Sequence, residues 1–359
     1  MSGGSFAVAI ELDSGGTHPA AWRGAQHPPS ELLSPRRLAS VAANAERHGF
    51  TAITLDDSPL PPGPDTNGPV RLDAVQRAAY LAPLTSAIGL VPVVDVVYPE
   101  PVHVATRLAS LDYASSGRAG WIVTASASEA TARAFAREPV TDAAALHREA
   151  EDVIEVARRL WDSWEDDAVI RDIATGRYLD RDKLHNVDFS GATFSVKGPS
   201  FVPRPPQGQL IVFGADVGAD VALVAVADEP EVASAAARAR SAGALRVFAE
   251  VEVAIDSRGL AAERRIAELD AFVPWRPSSR LRYVGDAEGF VELLSRLSQL
   301  IDGVRILPAV IDVDLEELGR CVLPALRREI GFSSPTAGAM LRESLGLPRP
   351  TNRYTPNPV

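Results

Sequence analysis

AIGLVPVVDVV, residues 87–97, is an apolar run of strand length, rich in Val and Ile, with no charge before Asp95. A strand this apolar has both faces covered, which is the habit of a parallel sheet flanked by helices. The flanks agree. Upstream, Leu72–Leu84 carries apolar residues at helical spacing, Ala52–Asp57 (AITLDD) reads as a strand, and Ser34–His48 reads as a helix with Pro35 in its first turn. Phe6–Asp13 (FAVAIELD) is the first strand. Downstream come a helix at Val102–Tyr113, closed by Ser115-Ser116-Gly117, and a strand at Gly120–Ala125. A long amphipathic helix follows at Ala143–Trp164, with Val153, Val156, Leu160 and Trp164 on one side.

The alternation resumes after residue 208. Strands are expected at Gln209–Phe213, Val221–Ala227, Leu245–Ile255 and Val304–Ile311. Helices are expected at Glu231–Ala242, Leu260–Ala271, Ala287–Leu300 and Asp314–Ile330. About eight strand–helix units in order point to an α/β fold of the (β/α)8 TIM-barrel type. A doubly wound sheet fits less well, because no Gly-x-Gly-x-x-Gly turn follows the first strand. The domain expectation is one barrel over residues 1–334 with a tail at 335–359. The segment 165–208, after the fourth-strand helix, breaks the pattern. It is polar and holds Pro199, Pro203, Pro205 and Pro206, yet Phe189, Phe194 and Phe201 need a surface to bury against. It is expected to pack over or beside the barrel mouth.

A chain of 359 residues suits one large barrel. Lys plus Arg total 36 against 47 Asp plus Glu, a net charge of −11 with no dense basic run, which argues against nucleic acid or an anionic membrane as partner. The single cysteine, Cys321, excludes an intrachain disulfide and a multi-cysteine metal site. No apolar stretch is long enough to span a bilayer, and the N-terminus has no signal-peptide pattern. The expectation is a soluble, cytoplasmic protein without a metal. In a barrel the chemistry belongs at the C-terminal strand ends.

Several stretches resemble the bacterial luciferase-like flavin monooxygenases, in the branch with nitrilotriacetate and dibenzothiophene-sulfone monooxygenases. They are HPAAWR (18–23), LTSAIGLVPVV (84–94), SSGRAGW (115–121), EVARRLWDSWEDDAVIRD (155–172), GRYLDRDKLHNVDFSGATFSVKGPSFVPRPPQG (176–208) and LRESLGLPRP (341–350). The resemblance implies a barrel that binds reduced FMN at its mouth. A separate flavin reductase supplies the cofactor, and O2 is activated toward a small organic substrate. Members of the wider superfamily use F420 and pass hydride instead, which is one alternative. A member that has lost tight flavin binding and serves as a non-catalytic partner is another. Relatives are commonly dimers or tetramers, so a homo-oligomer is implied.

The same resemblance names the cofactor-binding candidates. Asp57 and Ser58 stand where the family has Ala-Asp-Ser beside the flavin ring, and a turn-capping role for Asp57 is the plain alternative. Tyr98 precedes Pro99 where relatives carry His-Pro. Gly120-Trp121 runs directly into Ile122-Val123-Thr124, one residue short of the family's Gly-Trp-Asn phrase, which leaves Thr124 as the nearest polar group. Leu146 replaces a phosphate-binding Tyr, with His147 beside it. The turn Gly214-Ala215-Asp216-Val217 replaces the family's Gly-Ala-Ser/Ser-Glu phosphate loop, and puts a carboxylate where a hydroxyl is expected. His18 and Trp22 are candidates for the substrate side. No catalytic residue is singled out. Weak FMN binding follows, with the purified protein empty of flavin.

Overall fold

The computed structural model describes residues 6–58, 60, 71–215 and 217–355. Eight parallel strands close on themselves: β1 (Ala7–Glu11), β2 (Ala52–Leu55), β3 (Gly89–Asp95), β4 (Gly120–Thr124), β5 (Ile211–Gly214), β6 (Val221–Val224), β7 (Arg246–Ile255) and β8 (Gly303–Pro308). β8 closes the ring by pairing with both β7 (Phe248↔Gly303) and β1 (Ala7↔Gly303). Outside the strands run α1 (Pro35–His48), α2 (Ala74–Leu81), α3 (Pro101–Ala114), α4 (Ala143–Asp162), α5 (Glu231–Ser241), α6 (Ala262–Asp270), α7 (Ala287–Leu297) and α8 (Ile311–Glu317), the last continuing through a π turn to Glu329.

Alternation sorts each strand between two cores. Val8, Ile10, Ile53, Leu90, Val212, Val247 and Val304 face the helices in one large cluster. Ala7, Ala9, Ala52, Val91, Val93, Ile122, Ile211, Phe213, Val221, Leu223 and Phe248 fill the barrel interior. The floor of that interior is closed by the end of the chain. Leu341, Leu345 and Leu347 join the interior cluster, and a Cβ at Gly89 would come within 2.6 Å of Leu341 Cδ1.

Two details depart from eight simple strand–helix units. Among the described residues no helix links β5 to β6 over the short span 215–220, although neighbouring parallel strands usually need a connection of a dozen residues or more. The register explains how so short a link suffices. Val221 pairs with Phe213 and Ala222 with Gly214, so β6 begins beside the top of β5 and the chain never returns to the floor. The tail occupies the region left below, where Arg342 donates to the Gln209 carbonyl at 3.1 and 3.0 Å and Arg246 donates to the Leu345 carbonyl at 3.1 Å. The second departure follows β7. An added strand, Leu281–Gly285, pairs with Val251–Ile255, above β6 on the same edge of β7.

Segment 165–208, expected to pack over or beside the mouth, contributes no described residue to the lining of the mouth cavity. It forms two hairpins, Val169–Asp172 with Arg177–Leu179 and Val187–Ser190 with Ser195–Gly198. The second lies along α4, where Asp152 accepts from Ala192 N at 3.1 Å and the Arg159 guanidinium sits 5.1 Å from the Phe189 ring. Buried Arg204 pairs with Asp162 at 3.0 Å, and Asn352 donates to the Asp162 and Trp164 carbonyls at 2.9 Å each. The segment leaves α4 at its C-terminal end, and these clamps hold it against α4 and the tail.

Candidate active site at the barrel mouth

The C-terminal strand ends surround a cavity of about 400 Å³. The interior-facing positions of β1, β7 and β8 turn from apolar at the floor to charged at the mouth: Ala7 and Ala9 give way to Glu11, Phe248 to Glu250, and Gly303 to Arg305. Asp13, Asp56, Arg71 and Arg280 complete the charged wall. Val93, Ile122, Leu223 and Leu307 form the apolar part, and Gly16 lets the first loop close over it. A Cβ at Gly16, whose φ is +132°, would fall 2.3 Å from the Ala309 carbonyl oxygen.

Arg305 organises the charges. It is buried, donates to Thr54 Oγ1 at 3.1 Å, and pairs with both Glu250 and Glu11. Arg280 donates to Glu250 at 3.0 Å, and Arg71 bridges Asp13 at 3.1 Å and Asp56 at 3.4 Å. Environment separates the two glutamates. Burial pushes Glu250 up, but Arg305 and Arg280 outweigh it and hold its carboxyl below the usual range. Burial dominates at Glu11, where Arg305 and, more weakly, Arg280 oppose it and the neighbouring Asp56 and Asp13 add to it, so its pKa rises to about 7. Two carboxyl groups on one guanidinium are thus driven apart, the arrangement that separates a proton donor from a fixed anion. Glu11 can hold or release a proton near neutrality while Glu250 keeps Arg305 in place. Asp56 is also raised, by burial and then by Asp13.

Of the residues named from sequence, Thr124 and Ala215 line this cavity. The others are placed elsewhere or engaged locally. Asp57 accepts from Ala74 N at 2.6 Å and from Ser58 N at 2.8 Å, bracing the start of α2. Ser58 is exposed and accepts from Leu60 N. Tyr98 is buried with Val97, Ala132 and Leu146, stacks on Phe135 and accepts from Val140 N at 3.3 Å. His147 sits on the outside of α4, 3.3 Å from Glu151. Val217 packs on Gly214, where a Cβ would come 2.7 Å from Val217 Cγ2. Asp216 lies outside the described residues. His18 is fully buried, and Nδ1 accepts from Ala20 N at 3.0 Å, so Nε2 carries the proton and donates to Asp270 at 3.1 Å. Burial lowers its pKa against the pull of Asp270, and it staples the first loop in its neutral form. Trp22 is 56% exposed, with the Arg23 guanidinium 5.0 Å from its ring.

Sequence reasoning missed Glu11, Asp56, Glu250, Arg280 and Arg305. The signal was present: Glu11, Glu250 and Arg305 are charged residues inside apolar strands, on the parity of the interior alanines and Phe248.

FMN's phosphate does not fit the end of β5. Among the described residues no helix follows that strand to present amide donors. Arg158 is committed to the Gly218 carbonyl at 3.3 Å and to Asp220 at 3.2 Å, and Arg342, 3.8 Å from Asp220, is bonded to the Gln209 carbonyl. Leu146 adds a methyl-lined surface where a phenol would have donated.

Comparison with known proteins agrees with this architecture. The profile of the luciferase-like monooxygenases matches residues 14–318. N-acetyl-S-(2-succino)cysteine monooxygenase of Bacillus subtilis is 27% identical over 97% of this chain and 98% of its own length. Nitrilotriacetate monooxygenase component A of Aminobacter aminovorans is 35% identical over 55% of this chain, a match spanning 46% of that protein. The EDTA monooxygenase structure from Chelativorans sp. BNC1 superposes with a TM-score of 0.83 at 22% identity, covering 96% of this chain and 99% of that one. With 305 of its residues inside the family profile and the barrel closed as described, the chain belongs to the luciferase-like monooxygenase family.

Proposed function

We propose that the chain is a flavin-dependent monooxygenase that acts on a small organic molecule at the barrel mouth. It takes up flavin already reduced by a separate reductase and uses it with O2. The observation that carries this reading is the Glu11–Arg305–Glu250 cluster lining the mouth cavity, in which the half-buried Glu11 carboxyl, pushed up to about 7 by burial, can hold a proton. Reduced flavin, when present, supplies the electrons that activate oxygen. Arg305 holds Glu11 and Glu250 in place, Thr124 offers a hydroxyl, and the apolar wall of Val93, Ile122, Leu223 and Leu307 keeps water from the centre. Without a phosphate site after β5, the flavin is a diffusible co-substrate, FMN or its dephosphorylated form, and leaves after each turnover.

A second reading is favoured by the missing β5–β6 helix: a family member that binds no flavin and serves as a non-catalytic partner. Rapid mixing of photoreduced FMN or riboflavin with aerated protein separates the two. A protein-dependent change in flavin reoxidation, abolished in Glu11→Gln, supports the monooxygenase. Reoxidation at the protein-free rate at every protein concentration, with either flavin, supports the partner.

A further inference from the structure

A second cavity, of about 450 Å³, opens between α1 and α2 beside the end of β1. Its walls are apolar, built chiefly by Leu12, Leu38, Val41, Leu72 and Tyr80. That size and composition are those of small-ligand pockets. Asp13 and Arg71 line this cavity and the mouth cavity alike, so their 3.1 Å ion pair is the partition between the two.

The polar groups of the pocket are distinctive. Arg77 donates to Asp13 at 2.7 Å, Arg71 pairs with Asp13 and Asp56, and Arg37 pairs with Asp312 at 2.9 Å. Each guanidinium that lines the pocket among the described residues is thus already paired with a carboxylate. At the mouth too each guanidinium is already paired, Arg71 with Asp13, Arg280 with Glu250 and Arg305 with Glu11 and Glu250.

We propose that the pocket between α1 and α2 binds an uncharged, largely apolar small molecule, held apart from the mouth by the Asp13–Arg71 pair. This deepens the proposed function by naming a substrate class, and it rests on that reading only for the chemistry that follows binding. Polycarboxylates of the nitrilotriacetate kind are not expected to occupy this pocket.

The probe is prodan, an uncharged naphthyl ketone whose fluorescence shifts in apolar surroundings. Saturable binding to the full chain is expected, unaffected by a large excess of nitrilotriacetate. Val41→Trp, which fills the pocket, and Leu33→Glu, which charges its exposed edge, should each weaken binding at least tenfold while the circular dichroism spectrum is unchanged. Thr124→Trp, which fills the mouth, should leave it within about twofold. Absence of saturable binding, displacement by nitrilotriacetate, or loss of binding in Thr124→Trp alone would overturn the assignment. If Val41→Trp does not fold, Leu33→Glu at the exposed rim gives the same reading. The titration needs neither flavin nor oxygen, so its failure and the failure of the monooxygenase reading are separate results.

Discussion

Glu11 and Arg305 hydrogen-bond to each other across the seam where β1 and β8 close the barrel. Both side chains point inward, because Glu11 lies two residues along β1 from Ala9, the register partner of Arg305. A charge pair in that position gives up much of its hydration, and only close pairing makes it tolerable.

Stability should therefore depend on pH through Glu11. Its pKa is raised in the fold from 4.5 to about 7, so the fold favours the protonated form. The contribution is fully present below about pH 4.5 and is lost as pH rises through about 7. Between pH 5 and pH 8 the wild type should lose up to about 3 kcal/mol through this group. Glu11→Gln should lose less, measured as the change in urea midpoint between the two pH values. Equal losses in both proteins would exclude Glu11 as the titrating group.

Arg305→Met should be strongly destabilising, by about 3–5 kcal/mol, because it leaves Glu11 and Glu250 buried without their shared cation. Adding Glu11→Gln and Glu250→Gln to the same chain should recover at least half of that loss in urea unfolding. Additive losses in the triple variant would show that packing, and not charge, dominates there.

FMN should bind no tighter than riboflavin. A phosphate held by two charge-assisted hydrogen bonds would gain about 1.5–3 kcal/mol from each, enough to separate the two flavins by more than tenfold. The 215–220 link offers no helix and no uncommitted arginine, so anaerobic titrations with the reduced flavins should agree within about threefold. A tenfold preference for FMN would place an anion site elsewhere.

Leu341→Ala should cost about 2–5 kcal/mol, the usual range for a buried leucine whose site cannot collapse. Leu341 is 1% exposed and sits against Gly89 and Gly120 on the barrel floor. Thermal unfolding followed by circular dichroism reads the effect. A change below about 0.5 kcal/mol would mean that the tail is dispensable to the barrel.

The sequence by itself determined the eight strands and most of the helices around them, because the periods of two and near four in its apolar residues are local properties. AIGLVPVVDVV could be read as a buried parallel strand without knowing its neighbours, and β3 spans Gly89–Asp95 within it. Parity also marked Glu11, Glu250 and Arg305 as interior charges, although three charges far apart in the chain do not announce that they touch. Closure of the barrel decided that, since it brings residues 11, 250 and 305 from separate strands into one cluster. Tertiary structure alone also decided that β6 starts beside the top of β5, that segment 165–208 lies along α4, and that Leu341 plugs the floor. Each of these is a matter of register or docking between distant segments. A pattern of local preferences carries no information about which distant surface a segment will meet, and that choice is made by the burial and pairing energies of the assembled chain.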